Sequence, residues 1–116
     1  SSHNENLILD WNTDLNLGDL CVHHSQLRPH IVWFGEAVPM MDVAVQLVEV
    51  SDIIIIVGTS MQVYPAAGLI QYAQAHSQVY FVDPNPSLSS SEKITVFAEK
   101  ATTGVSKVIS EIKQNF

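Results

Sequence analysis

Apolar residues in this chain fall into short clusters, and the spacing within each cluster predicts its element. Residues 1–26 are polar and show no period, with Gly, Asn, Asp and His scattered through them. They predict an irregular arm, with short extended pieces around residues 6–11. Ile31, Val32, Trp33 and Phe34 form an unbroken apolar run shortly after Pro29 and are closed by Gly35, which predicts a short strand over 31–34. Over 42–51 the period changes. Val43, Leu47 and Val50 recur at i, i+4 and i+7, and Asp42 can cap the helix that this spacing predicts. Residues 53–57, Ile-Ile-Ile-Ile-Val, are β-branched throughout without alternation. That is the pattern of a strand buried on both faces, as in a parallel sheet.

Further along, Pro65 suits the first turn of a helix running to about residue 76. Residues 79–82 predict another strand, closed by Asp83-Pro84-Asn85-Pro86, where two prolines forbid a helix. A Ser-rich stretch over 86–92 reads as a mobile connection, and 94–97 as one more short strand. Val105, Val108, Ile109 and Ile112 mark a final amphipathic helix. Strands alternating with helices predict an α/β fold with a mostly parallel sheet and right-handed crossovers.

Composition narrows the classes. With 47% hydrophobic and 15% charged residues in 116, the chain is globular and fits one domain. Five Lys and Arg against twelve Asp and Glu give a net charge of −7, which argues against a nucleic-acid surface. The aliphatic run at 53–57 is far too short to span a bilayer, and no charged-then-apolar leader precedes it, so a cytoplasmic setting is expected. One cysteine, Cys21, excludes an internal disulfide framework. A start at Ser-Ser without Met fits a truncated, processed or proteolysed chain, or simple removal of Met.

Three segments are candidates for chemistry. Gly58-Thr59-Ser60 follows the most apolar strand at its carboxyl end, where ligands bind in open α/β sheets. The glycine lets backbone approach a ligand, the two hydroxyls can hydrogen-bond, and the following helix start suits phosphate. An ordinary strand-to-helix turn uses the same residues. Asp83 ends the next strand and could accept from ribose hydroxyls while repelling the extra phosphate of NADP; a turn aspartate before proline is equally common. Val32-Trp33-Phe34 with Gly35-Glu36 could offer an edge to an extended peptide, or could be core. The histidines lack metal-ligand spacing: His23 and His24 are adjacent, and no CxxC accompanies Cys21.

LRPHIVWFGE at 27–36 and GTSMQVYPAAG at 58–68, taken together, resemble the carboxyl-terminal half of a sirtuin of the bacterial class that includes lysine desuccinylases and deacetylases. The resemblance runs from about Asp19 to the end. It implies an incomplete Rossmann-like three-layer αβα fold, with 1–26 a remnant of the small zinc-module region and 27–116 half of the NAD-binding domain. It implies NAD as cofactor and an acyl-lysine protein or peptide as substrate. On that analogy the Val32 carbonyl receives the substrate lysine N–H, with Trp33 beside it. Gly35 and Glu36 pair with the peptide as an added strand, and Phe34 and Val63 wall the acyl-lysine tunnel. Gly58, Thr59 and Ser60 hold the adenosine ribose and phosphate side of NAD. Asp83, Pro84 and Asn85 border the adenine ribose, and Gly104 and Val105 the adenine.

The chain departs from the family pattern in places. Asp83 stands where the family usually carries Asn, and the paired zinc cysteines are missing, so no metal is expected. The family's Gly-Ala-Gly loop, Gln-Asn-Ile-Asp segment and catalytic His-Gly do not occur in these residues. His30 lies within the RPH motif and is not that base. The implied reaction passes the acyl group from lysine to ADP-ribose with loss of nicotinamide, and needs a general base. No catalytic residue is therefore assigned, and the 116 residues alone are expected to be inert. Half a sheet also leaves an open edge, so self-association is expected. A free-standing nucleotide-binding or regulatory module, and a unit whose role is assembly, are the competing readings.

Overall fold

The computed structural model describes residues 1–115. The chain forms two compact units, Ser1–Ala37 and a second that begins at Val38.

The second unit holds all the regular structure. In chain order it contains helix α1 (Met41–Glu49), strand β1 (Ile53–Val57), a short 3-10 helix (Ala66–Tyr72), β2 (Gln78–Val82), β3 (Ile94–Phe97) and helix α2 (Ala101–Asn115). The strands lie in the order β1-β2-β3, and both pairs are parallel. The alternation of elements thus gives the expected parallel α/β sheet. Helix α1 packs against the 3-10 helix, and α2 packs on β2.

Register explains the core. Val82 stands opposite Val57 on one side and Phe97 on the other, and Tyr80 opposite Ile55 and Thr95. Residues paired in this way project from the same face of the sheet, and alternate positions project from the other. Tyr80 and Val82 meet Val108 of α2, with Ile53, Phe97 and Ile112 packed around them. Val79 and Phe81 point from the opposite face and are also buried. Gly104 permits the close approach of α2: a Cβ there would collide with Cγ1 of Val82.

Several expectations are corrected. β1 is not buried on both faces: Ile55 and Val57 are 44% and 39% exposed. Among the described residues β1 is one edge of the sheet, and α2 lies over β2 instead. β2, with four consecutive buried residues, is the central strand. No strand forms over 31–34, because a strand requires a partner and this segment bends into a turn instead. Residues 6–11 form no strand either, and the arm's only bridge among the described residues joins Leu20 and Gln26. Asp42 does not cap α1. Met40 occupies the N-cap position without a side-chain bond, and Asp42 sits in the first turn. The helix after Pro65 is a 3-10 helix that ends at Tyr72, where Ala73 turns extended (φ −61°, ψ 132°).

Candidate functional site

The carboxyl ends of the parallel strands bring the first group of candidate residues to one edge of the sheet. The ladder runs one residue past each strand. Gly58 N–H donates to the Val82 carbonyl at 2.9 Å, and Asp83 N–H donates to the Phe97 carbonyl at 3.2 Å. Gly58 and Asp83 are therefore fixed by the sheet rather than left to the loops. Gly58 has φ +63°, in the left-handed region that favours glycine, and the space where a Cβ would stand is open. Backbone is thus accessible there without a side chain in the way.

The residues that follow differ in what they can offer. Thr59 is half-buried, and its Oγ1 accepts from Met61 N–H at 3.2 Å. Ser60 is exposed. Asp83 is half-buried, and its Oδ1 accepts from Asn85 N–H at 2.8 Å, which folds Asp83-Pro84-Asn85 into a tight turn. The second carboxylate oxygen makes no hydrogen bond among the described residues. Val63 is 56% exposed. Gly104 is buried in α2 and Val105 half-buried. Gly104 has a packing duty against Val82 that periodicity alone does not show. The start of α2 follows β3 by four residues, so its N-terminal end lies at the same edge, where helix dipoles favour negative charge.

The first unit carries the other group. Gly35 turns the chain with φ +87°, and Glu36 N–H donates back to the Trp33 carbonyl at 3.1 Å. The Glu36 carboxylate takes both arms of the Arg28 guanidinium: Nη1 donates to Oε1 at 2.6 Å and Nη2 to Oε2 at 3.0 Å. It also accepts from Trp33 N–H at 2.9 Å. Arg28 Nη2 donates to the Ile31 carbonyl at 2.7 Å as well. The guanidinium beside it, and then the Trp33 amide, hold the Glu36 carboxyl at about 2, and the carboxylate raises Arg28 in return. The enclosed side chains point outward: Val32 and Trp33 are half exposed and Phe34 is 94% exposed. Sequence reasoning misses Arg28. Both partners sit inside the LRPHIVWFGE motif, but nothing in its spacing shows that they meet.

Among the described residues no three His, Cys, Asp or Glu side chains converge as metal ligands. No described helix is long and apolar enough to cross a membrane.

Known proteins resemble this chain over much of its length. A protein of Helicobacter pylori named NAD-dependent protein deacylase is 52% identical over 84 residues, which cover 72% of this chain and 37% of that protein. One of the same name from Bacteroides thetaiotaomicron is 46% identical over 96 residues, covering 82% of this chain and 41% of that protein. The chain therefore spans well under half the length of these relatives. Among solved structures, Sir2Tm bound to a propionylated peptide superposes with a TM-score of 0.64 at 26% identity, over 81% of this chain and 41% of that one. A Sir2 complex with a p53 peptide and NAD+ gives the same TM-score and identity, over 83% and 42%. Residues 4–65, more than half of the chain and including both the Arg28–Glu36 loop and Gly58-Thr59-Ser60, match the Sir2 family; the chain belongs to that family.

Proposed function

We propose that this chain is the carboxyl-terminal part of an NAD-dependent protein lysine deacylase, contributing one part of the cofactor site and one part of the substrate site. The observation that carries this reading is the glycine-led, open edge at Gly58-Thr59-Ser60 in a chain that is 52% identical, over 84 residues, to a protein named as such a deacylase.

The residues fit an adenosine diphosphate moiety. Gly58 N–H is already committed to Val82, so Gly58 contributes closeness of approach rather than a donor. Ser60 has an exposed hydroxyl to give, and Thr59 is held by its bond to the Met61 amide. Asp83 retains an oxygen able to accept from a ribose hydroxyl, and its charge disfavours a phosphate at that position. Pro84 and Asn85 shape the turn beside it. Gly104 is engaged in packing, so any contact near the adenine comes from backbone or from Val105. Bound NAD would supply the electrophilic ribose carbon attacked by the acyl oxygen as nicotinamide leaves, and the ADP-ribose that carries the acyl group away.

On this reading an acylated lysine peptide lies along Val32-Trp33-Phe34, with Gly35 and Glu36 at its end. The Glu36 amide is spent on the Trp33 carbonyl, so pairing there falls to carbonyl groups and to the free amides of Phe34 and Gly35. No residue of this chain is assigned as general base, and the 116 residues alone are inert. The exposed Ile55 and Val57 on an edge strand favour self-association of the isolated chain.

The test has two parts. The full-length polypeptide containing this chain should release nicotinamide from NAD only when an acyl-lysine peptide is present. The isolated chain should bind ADP-ribose saturably, with Ser60→Ala weakening that binding, and should show no turnover. Turnover by the isolated chain, or nicotinamide release indifferent to peptide, would refute the assignment.

A further inference from the structure

We infer that the Arg28–Glu36 ion pair is a positioning device for the substrate peptide: it holds Val32-Trp33-Phe34 in the shape that receives an extended acyl-lysine segment. The inference rests on the function proposed above. Five hydrogen bonds involve these two side chains from within nine residues: two across the ion pair, one accepted from the Trp33 amide, and one each donated to the Ile31 and Pro29 carbonyls. The clamp thus fixes the backbone on both sides of Val32. Within the loop, the amide and carbonyl of Val32 and those of Phe34 make no hydrogen bond among the described residues. Free backbone groups flanked by exposed apolar side chains are what strand addition uses.

The pair's setting says why shape, rather than stability, is its contribution. The two side chains are 36% and 40% exposed, and ion pairs so placed add little to folding. A fork-to-fork guanidinium–carboxylate contact, however, carries direction as well as attraction. Lysine cannot reproduce it, because a single ammonium has no planar fork. With the clamp intact the loop is already ordered before the peptide arrives. Without it, binding must order the loop, and peptide affinity falls while cofactor binding does not.

The experiment is steady-state kinetics of the full-length enzyme containing this chain, with peptide and NAD varied separately. Arg28→Lys, Glu36→Gln and Glu36→Asp are compared with wild type, and retained thermal midpoints show that each is folded. The expected result is a peptide KM raised roughly tenfold in all three, the scale of ordering one or two side chains on binding. KM for NAD and kcat should stay within about twofold. Arg28→Lys, although charge-conserving, should give no rescue. Unchanged peptide KM in all three, or parallel rises for peptide and NAD, would overturn the clamp. Wild type without peptide-dependent turnover would instead sink the functional reading, and the clamp's role with it. An active wild type with indifferent variants would sink only the clamp.

Discussion

β1 and β2 are equal in length and paired in register, yet they live in different surroundings. Ile53–Val57 is the more aliphatic of the two, and Ile55 and Val57 remain well exposed. Gln78–Val82 carries a tyrosine and a glutamine, and four of its five residues are buried. Position in the sheet decides this. β2 has a strand on each side and α2 against one face, whereas β1 has one strand neighbour. Apolar composition states how much a strand gains from burial, and topology decides whether it receives it.

The sharpest way to break this contrast is to truncate each strand in turn. Phe81→Ala removes a fully buried ring and should cost about 3–5 kcal/mol, read as a lowered urea midpoint. Ile55→Ala in β1 should cost well under half of that, since the side chain is already partly in water. Equal losses would mean that β1 is buried in solution, by another copy or by other chain. A second variant tests how closely α2 seats on β2. Gly104→Ala drives a Cβ into the Val82 side chain, which should cost about 1–3 kcal/mol even after alanine's better helix propensity. Val82→Ala in the same chain should make Gly104→Ala nearly neutral, and strict additivity of the two would contradict a direct clash.

Smaller effects probe the exposed side of the comparison. Ile55→Thr with Val57→Thr should leave the unfolding free energy from urea titration within about 1 kcal/mol while lowering the weight-average mass of the isolated chain in light scattering. The smallest effect is a titration. Glu36 is held at about 2, below its ordinary 4.5, chiefly by Arg28. A carboxylate lowered by folding contributes stability above its unfolded value, and that contribution is lost as pH falls from 4.5 toward 2. Trp33 fluorescence, in a Trp11→Phe background, should thus be flat above about pH 5 and change only below it. Glu36→Gln should abolish that change. A transition near neutral pH would mean that a group other than this carboxylate governs the loop.

Much of the second unit is legible in the sequence because its signals are local. The β-branched run at 53–57, the apolar runs at 79–82 and 94–97, and the period of Val105, Val108, Ile109 and Ile112 all become the predicted kinds of element, the second strand starting one residue earlier at Gln78. The main failures come where side-chain contacts and turns, invisible in the spacing, override the apolar pattern. The apolar run at 31–34 looks like a strand, but among the described residues it pairs with no other strand, and Arg28 and Glu36 hold it as a displayed loop. The residues after Pro65 look helical, but Gly68 contributes no side chain to packing and Ala73 ends the element early. For the site, Gly58 and Asp83 follow from the rule that loops after parallel strands gather at one edge. Arg28 does not, since its role is visible only once its side chain is seen to reach eight residues forward.

The bond from Gly58 to Val82 governs how the carboxyl edge of the sheet moves. Gly58 is exposed, yet its amide proton is held by the carbonyl of a strand residue that is itself inaccessible to water. Hydrogen exchange at Gly58 therefore has to wait for β1 to part from β2, whereas Thr59 and Ser60, just beyond the last ladder bond, exchange through local fluctuation. The boundary between slow and fast protons falls inside a three-residue segment. On the proposed function, a ligand arriving there would meet a floor that moves with the sheet and a rim that moves on its own.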